Sequence, residues 1–432
     1  MRRDGQAPGA GDRVRGLSDT EALFAYAHAL TGQGRITTSF TVDGRFSRGS
    51  IERAVRQWTG RLPLLSLRIA GTGDGLCFRG PASGQGAEDA EGAEDVAGSG
   101  GGERLWDLRV GHGPSGDTRF ALSLHPAIGD AYSTGRLVRL LLDALLGAPH
   151  TGSAGPAREA LPPDTDALTY EPGVGCACGG CGSAVPGVPG VPGGPGRGRG
   201  TAPARHGLGP VPGSRADDAV TLTLTARESR RLRDWCAQRR VTAGGYLTSV
   251  LAEALARETG RGEVAVATAM SLRRRYAERT LITEPGCVQT MVGARLRAGT
   301  GGEPLGRARA HTTALCSARR AWRPARCGHA AVRRAVERAA EAGVPELRVT
   351  DAGCVDTALG AHAARVTALR TTAGHGGAGP GGSLYLSTFK GGLTLALSSR
   401  GLGEGWAARA ERELCAALPP LSVLSAPVGG RP

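Results

Sequence analysis

The sequence predicts an α/β protein made of two halves, and three observations lead to that prediction. The chain has 432 residues, more than one hydrophobic core usually serves. Strand-like and helix-like apolar patterns alternate in both halves of the chain. Between them, residues 148–214 are rich in glycine and proline and bury too little apolar surface to order themselves. We therefore predict subdomains at 17–147 and 215–425, joined by a linker at 148–214.

The first half opens with a helix, a strand and a second helix. Asp19 or Thr20 is predicted to cap a helix that continues through Leu30, because short polar side chains accept hydrogen bonds from first-turn N–H groups. Residues 36–42 (ITTSFTV) have the composition of a strand. Ser50 is predicted to cap the second helix. The apolar face of that helix consists of Ile51, Val55 and Trp58.

The rest of the first half adds strands, an insertion and an apolar helix. Residues 64–69 and 118–124 alternate apolar with polar side chains, which predicts strands. Between them lies a low-complexity segment near 71–102 that contains GAEDAEGAED, and we predict a mobile insertion there. The residues HPAIGDA follow the last of these strands. The apolar positions of the helix after them are Leu137, Leu140, Leu141, Leu142 and Leu145.

The second half repeats the same order of patterns. Residues 220–224 predict a strand. Thr225 and Glu228 predict a capping box, in which each side chain accepts from a free N–H at the start of a helix. The remaining predicted elements are a helix capped by Thr242, a strand at 263–269, a hairpin formed by 384–389 and 393–397, and a closing helix at 404–418.

Composition excludes several classes of protein. The formal net charge is +14, but the arginines are scattered and aromatic residues make up only 4% of the chain. Stacking platforms for bases are therefore missing, and specific nucleic-acid binding is not expected. A general electropositive surface still suits an acidic protein or a phosphorylated cofactor. No apolar run approaches the length of about 18 residues that a membrane span needs, and no secretory signal is evident, so we expect a cytoplasmic protein.

The ten cysteines admit two interpretations. Seven are dispersed and are predicted to be small buried hydrophobic residues in a reduced cytosol. Cys176, Cys178 and Cys181 lie close enough together to hold zinc, but a closed structural site needs a fourth ligand. His206 is the nearest downstream candidate. We interpret the cluster as a loop without metal, with zinc binding as the alternative.

Four stretches together resemble the condensation-domain superfamily, which includes nonribosomal-peptide condensation domains and chloramphenicol acetyltransferase. The closest likeness is to polyketide-associated acyltransferases of the phthiocerol/phthiodiolone dimycocerosyl transferase type. The opening stretch is LSDTEALFAYAHALTGQGRITTSFTVDGRFSRGSIERAVRQWTGRLPLLSLRIA. LSLHPAIGDAYSTGRLVRLLLDALL stands where the superfamily carries its His-His-x-x-x-Asp-Gly signature. The start of the second half and the segment LRVTDAGCVDTALG with the closing hairpin complete the match.

The resemblance implies a fold and a site. The fold would be two chloramphenicol-acetyltransferase-like α/β sandwiches that form a V-shaped pseudo-dimer with an interfacial tunnel. In such enzymes the second signature histidine is the general base, and the aspartate holds an arginine. Alignment on Asp130 places His125 at the first histidine and Pro126 at the second. Asp130 is expected to pair with Arg68 or Arg273.

The resemblance also implies a reaction. An acyl group would pass from a CoA or carrier-protein thioester to a hydroxyl or amine in natural-product or lipid biosynthesis, with neither metal nor cofactor beyond the acyl donor. Pro126 departs from this pattern because proline has no side chain that accepts a proton. Loss of a general base typically costs a factor of about 10² to 10⁴. Either His125 acts as a displaced base, or the chain is an inactive scaffold that binds a carrier protein or tailoring enzyme.

Three further side chains are candidates with plainer interpretations. His28 lies on an apolar helix face and is predicted to be packed. His375 lies in the glycine-rich stretch AGHGGAGPGG and is predicted to be solvated. Cys287 falls near the expected tunnel wall, where a lone cysteine is inert unless its thiolate is stabilised.

Overall fold

The computed structural model of the chain describes most of both predicted halves. The described residues are 13–71, 75–80, 104–113, 116–147, 165–166, 220–273, 284–298, 302–324 and 326–418. The predicted linker apart from 165–166, most of the predicted insertion, the three clustered cysteines and His206 lie outside them.

Helices and strands alternate along the described chain, as the sequence predicts for an α/β protein. Up to residue 147 the elements are β1 (Arg13–Gly16), α1 (Asp19–Thr31), β2 (Ile36–Val42), α2 (Arg48–Arg61), β3 (Arg68–Ala70), β4 (Cys77–Arg79), β5 (Trp106–His112), β6 (Thr118–Leu124) and α3 (Ala131–Leu146). From residue 220 they are β7 (Val220–Leu224), α4 (Ala226–Gln238), α5 (Ala243–Thr259), β8 (Glu263–Ser271), β9 (Gln289–Arg297), α6 (Pro304–Ala321), α7 (His329–Ala342), β10 (Glu346–Cys354), α8 (Val355–Leu359), β11 (Val366–Ala373), β12 (Gly381–Phe389), β13 (Gly392–Arg400) and α9 (Trp406–Ala417).

Within the described residues the strands form three sheets. The smallest has the order β1-β4-β3, and a second has the order β11-β2-β6-β5 with antiparallel pairs. The third has the order β7-β13-β12-β10-β8-β9 and mixes parallel with antiparallel pairs. Helix α3 packs against α2, whereas α5 packs against the third sheet.

Strand β11 joins the two halves, because it comes from the second half of the chain but pairs with β2 of the first. The pairing runs from Val366 opposite Val42 to Ala373 opposite Ile36. Thr38 and Thr371 reinforce it through hydroxyl groups 2.8 Å apart. The hydrophobic core built around the residues of the first half, called the first core below, accordingly also contains residues of the second half. These include Val332, Val336, Leu359 and Leu369.

Trp58 anchors the first core. Its ring is buried on α2, and its indole Nε1 donates to the carbonyl of Leu137 on α3 over 3.1 Å. Phe40 and Phe120, on adjacent strands, stack with ring centroids 5.0 Å apart. A large buried aromatic ring with a satisfied polar atom is among the strongest packing anchors available to a core.

Several predicted elements are confirmed. Strands β2, β6 and β7 have the predicted bounds. The capping box of Thr225 and Glu228 is present at the start of α4. The hairpin of β12 and β13 turns at Lys390 and Gly391, whose φ angles are 47° and 79°. Positive φ at both central residues is the requirement of a type I′ turn, which matches the twist of paired strands.

Other local predictions are wrong. Ser18, rather than Asp19 or Thr20, caps α1, because it forms a capping box with Glu21. Ser47, rather than Ser50, caps α2 and accepts from the Ser50 N–H. The strand predicted at 64–69 is reduced to β3, since Pro63–Ser66 forms a 3₁₀ turn. Proline fixes φ near the helical value and so favours the first position of such a turn.

The prediction of buried cysteines holds for only part of the dispersed set. Cys77, Cys236 and Cys287 are buried. Cys327 is half-buried, and the exposed members are Cys316, Cys354 and Cys415. Cys316 and Cys415 lie on helices that bury only one face, so a small side chain on the other face is exposed whatever its polarity. Among the described helices, none has both the length and the apolar character to cross a membrane.

Candidate active site

The segment from His125 to Asp130 forms a buried turn between β6 and α3. The His125 N–H donates to the Leu105 carbonyl over 2.6 Å, and the Ile128 N–H closes the turn on the His125 carbonyl over 3.0 Å. Pro126 is buried inside this turn. The expected base position therefore holds a side chain that neither donates nor accepts a proton.

His125 is 2% exposed, and its hydrogen bonding determines what its ring can do. The Ala127 N–H donates to His125 Nδ1 over 3.0 Å. A nitrogen that accepts this bond carries no proton, so the neutral ring carries its proton on Nε2. In this arrangement the Nδ1 lone pair is already engaged and Nε2 is a donor. The imidazole is thus arranged to donate a hydrogen bond rather than to abstract a proton.

His28 contacts His125 directly. The two rings meet edge to face with centroids 4.7 Å apart. His28 is 8% exposed, as predicted for a packed histidine, and lies in the last turn of α1. Its Nδ1 lies 2.6 Å from the Gln33 carbonyl oxygen. A carbonyl only accepts hydrogen bonds, so Nδ1 is the protonated nitrogen of the neutral ring.

Asp130 is the centre of a buried polar clasp between the two halves of the chain. Arg273 Nη2 lies 3.0 Å from one carboxylate oxygen and 2.9 Å from the other. The Ser133 N–H donates to Oδ1 over 2.8 Å, and the Val288 N–H donates to Oδ2 over 3.3 Å. The Asp130 and Arg273 side chains are only 3% and 5% exposed. These bonds satisfy a charge pair that would be costly to bury alone.

Backbone bonds extend this clasp to the segment before β9. The Gly286 carbonyl accepts from the Asp130 N–H over 3.3 Å, and the Gly286 N–H donates to Ser133 Oγ over 2.9 Å. Arg273 Nη1 donates to the Glu284 carbonyl over 2.6 Å. The Asp130 carboxylate is thus committed to holding the start of α3 against the second half of the chain.

The two arginines named from the sequence have different positions. Arg273 is the one in contact with Asp130, and its guanidinium also lies 4.7 Å from the centre of the Tyr132 ring. Arg68 lies in β3 of the smallest sheet, opposite Arg79 on β4. Sequence reasoning named both without a means to choose, because pairing across more than a hundred residues depends on the fold.

Cys287 belongs to an apolar cluster between α1 and the third sheet. The cluster also contains Phe24, Ala267 and Met291. Burial raises the pKa of the Cys287 thiol well above its ordinary value, and the charges of Glu21 and Asp130 raise it further. The thiol is therefore held in its unreactive protonated form.

His375 is fully buried, so the prediction that it is solvated is wrong. Its Nδ1 lies 3.1 Å from Ser383 Oγ. Burial, followed by the charges of Arg348 and Arg400, lowers the pKa of His375 to about 3. A Cβ placed on Gly377 would lie 2.5 Å from His375 Nε2. The glycines that suggested a solvated loop therefore allow the backbone to pack against the ring.

Among the described residues, no group of three or more histidine, cysteine, aspartate or glutamate side chains is placed to hold a metal ion. Sequence reasoning missed Ser133, and it named His28 only as a packed histidine without connecting it to His125. The spacing of Ser133 from Asp130 is a helix-cap pattern that was readable in the sequence. The contact of His28 with His125 had no sequence signal.

Comparisons with known proteins support the predicted fold. No protein-family model and no curated protein matches the sequence. Three solved structures illustrate the structural likeness. Polyketide synthase associated protein 5 from Mycobacterium tuberculosis has a TM-score of 0.58 at 14% identity, over 97% of this chain and 100% of that chain. A trichothecene 15-O-acetyltransferase from Fusarium sporotrichioides has a TM-score of 0.63 at 12% identity, over 95% of each chain. The first condensation domain of the CDA synthetase has a TM-score of 0.55 at 16% identity, over 94% of this chain and 95% of that chain.

At these identities the likeness establishes the fold. The chain has the α/β fold of condensation domains and related acyltransferases, over nearly the full length of each structure. The predicted resemblance to polyketide-associated acyltransferases is confirmed at that level.

Proposed function

We propose that this chain, which has the condensation-domain fold, is an acyltransferase. It would move an acyl group from a CoA or carrier-protein thioester to a hydroxyl or amine in natural-product or lipid biosynthesis. The two halves would form a V-shaped pseudo-dimer, and donor and acceptor would meet in a tunnel at their interface.

The clasp of Asp130 and Arg273 is the observation that carries this proposal. Asp130, which stands at the signature aspartate, has Arg273 Nη2 2.9 Å from its carboxylate and accepts a backbone N–H on each oxygen. Removing two charges from water costs several kcal/mol per ion, so such a pair persists only where further bonds compensate. The clasp sits beside the signature turn and fixes the two halves against each other there.

Acyl transfer from a thioester requires three contributions from the protein. A thioester already has a good leaving group, so the protein must orient the reactants, take a proton from the acceptor and stabilise the developing oxyanion. The net charge of +14 favours binding of a negatively charged acyl donor, either an acidic carrier protein or CoA with its phosphates. A likeness to an O-acetyltransferase supports a hydroxyl acceptor.

A second candidate function is a non-catalytic scaffold that binds a carrier protein or tailoring enzyme. Two observations favour it: Pro126 occupies the base position, and His125 is buried with Nδ1 already accepting a hydrogen bond. Under this alternative the clasp preserves only the shape of the interface.

One assay separates the two candidates. Purified protein is incubated with acetyl-, octanoyl- or palmitoyl-CoA and with n-octanol or n-octylamine, and free CoA is measured by chromatography. Acceptor-dependent CoA release by the wild-type chain is expected for a transferase. Release by Pro126→His but not by wild type would favour the scaffold, because it would show a retained binding site without a base. Absence of release from both would contradict the transferase.

A further inference from the structure

We infer that the C-terminal end of α4 and the adjoining part of α6 form a docking surface for an acidic protein. Arg239, Arg240 and Arg309 supply its positive charge. The inference rests on the proposed function and makes it more specific, because it assigns the donor to a carrier protein rather than to free CoA.

The three arginines meet at a single peptide bond. Arg309 Nη2, on α6, donates over 3.2 Å to the Arg239 carbonyl, which belongs to the peptide that links Arg239 to Arg240. Arg240 and Arg309 are exposed, and Arg239 is half-buried. Among the described residues, none of the three forms an ion pair, whereas nearby Arg307 pairs with Glu253 over 3.2 Å. No carboxylate in the described part of the chain therefore neutralises this cluster.

The backbone of Arg240 is held in a conformation that favours glycine. Its φ angle is 56°, and it follows the C-cap of α4. The Arg240 N–H donates to the Ala237 carbonyl over 2.9 Å, and the Val241 N–H donates to the Cys236 carbonyl over 3.0 Å, which is the Schellman pattern. Helices α1, α3, α5 and α7 all end at a glycine with positive φ. Strained backbone of this kind clusters at functional sites, so an arginine at this position points to a use for its side chain.

The helix end explains only two of the three side chains. Cationic groups stabilise the unpaired carbonyls at a helix C-terminus. Arg239 Nη1 donates to the Trp235 carbonyl over 3.2 Å, and Arg309 donates to the Arg239 carbonyl, so both serve the helix end directly. The Arg240 guanidinium makes no hydrogen bond to any other residue that the structure describes. It is exposed and can pair with a carboxylate of another protein.

An aromatic side chain lies beside the arginines. The Arg239 guanidinium lies 4.2 Å from the centre of the half-buried Trp235 ring, which meets the Tyr246 ring edge to face with centroids 5.1 Å apart. Tryptophan, tyrosine and arginine are enriched among the residues that dominate the energetics of protein interfaces. Small ligands bind in concave sites, whereas Arg240 and Arg309 lie on exposed parts of two elements. The arrangement therefore favours a protein partner over the phosphates of CoA.

The test measures the binding of a purified, negatively charged holo acyl carrier protein by calorimetry, at low and at high salt. Wild type is compared with Arg240→Gln, Arg240→Gly and the double variant Arg240→Gln with Arg309→Gln. Glutamine at 309 keeps an N–H donor for the Arg239 carbonyl but removes the charge. The dissociation constant is expected to rise about fivefold or more in each single variant, and further in the double variant. Salt should weaken binding by wild type more than binding by the double variant, because fewer charge pairs remain to be screened.

Two controls separate docking from net charge and from folding. Arg334→Gln removes the same charge from another exposed arginine, on α7, and should bind as wild type does. Arg240→Gly should melt no lower than wild type, because glycine relieves the strained backbone. Weaker binding that appears equally in Arg334→Gln would overturn the inference, since net charge alone would then govern binding.

Three further outcomes decide the inference. A wild-type chain that does not bind the carrier protein would overturn it. So would Arg240→Gly that melts lower but binds as wild type does, because the arginine would then serve only the helix end. Loss of CoA affinity without loss of carrier-protein affinity in the Arg240 variants would also overturn it. Because binding is measured without turnover, binding that depends on Arg240 in a chain that releases no CoA would support the docking surface and refute only the proposed transferase.

Discussion

Replacing Asp130 by asparagine should destabilise the protein by about 3–5 kcal/mol, the usual cost of breaking a buried ion pair. The introduced amide would keep one oxygen for the Ser133 N–H, which now lies 2.8 Å from Oδ1. Its NH₂ group would replace the oxygen that accepts from Arg273 Nη2 over 2.9 Å and from the Val288 N–H over 3.3 Å. Donors would face donors, and the 5%-exposed guanidinium would lose its counter-charge.

Thermal melting, followed by circular dichroism, measures this cost. For a folding unit of this size, 1 kcal/mol corresponds to roughly 2 °C, so we expect the melting temperature to fall by about 6–10 °C. Asp107→Asn is the matched control, because Asp107 pairs with Arg109 over 3.2 Å at the surface, with side chains 51% and 85% exposed. Such pairs contribute about 0–1 kcal/mol. If Asp130→Asn melted within about 2 °C of Asp107→Asn, the reasoning about the clasp would be refuted.

Three further predictions follow from buried or strained positions. Because the pKa of His375 is lowered to about 3 in the folded chain, the unfolded state binds its proton more readily. The free energy of unfolding should therefore fall by up to about 1.4 kcal/mol per pH unit as the pH is lowered from about 6.5 to 3. Urea titrations at several pH values should show a flatter dependence for His375→Gln than for wild type. Gly391→Ala should lower the free energy of unfolding by about 1–2 kcal/mol, because φ is 79° at that position. Gly60→Ala should raise it by about 0.5–1 kcal/mol, because a Cβ on that α2 residue would meet open space. Denaturant midpoints that moved in the same direction for both variants would contradict these two predictions. Iodoacetamide should label exposed Cys354 well before buried Cys287 in the native protein, and peptide mass spectrometry would show equal labelling if the burial is wrong.

Much of the secondary structure was predictable because its causes are local. Strand β2 alternates buried with half-buried residues along the segment ITTSFTV, and that alternation is visible in the sequence. The capping box of Thr225 and Glu228 needs only a spacing of three residues. The misassigned caps of α1 and α2 show the limit of the method. The observed caps, Ser18 and Ser47, precede the predicted ones by one to three residues and were not named, because backbone geometry decides which of several neighbouring polar residues caps a helix.

The candidate site was predictable only in part. The resemblance located the turn from His125 to Asp130, and it indicated that Pro126 replaces the expected general base. The burial of His375 was not legible, because glycine-rich sequence is compatible both with solvated loops and with close backbone packing. The structure selects the second, with the His375 ring enclosed by the backbone of residues 377–382.

The sequence by itself determined the α/β class, strands such as β2, β6 and β7, helices such as α4 and α5, the hairpin at Lys390 and Gly391, and the departure at Pro126. Tertiary structure alone decided which arginine meets Asp130, 143 residues away, and which histidine touches His125. It also decided that β11 completes the sheet of β2. Local patterns depend on periodicity and hydrogen bonding within a few residues, whereas these contacts depend on how the two halves pack, a property that no short stretch of sequence encodes.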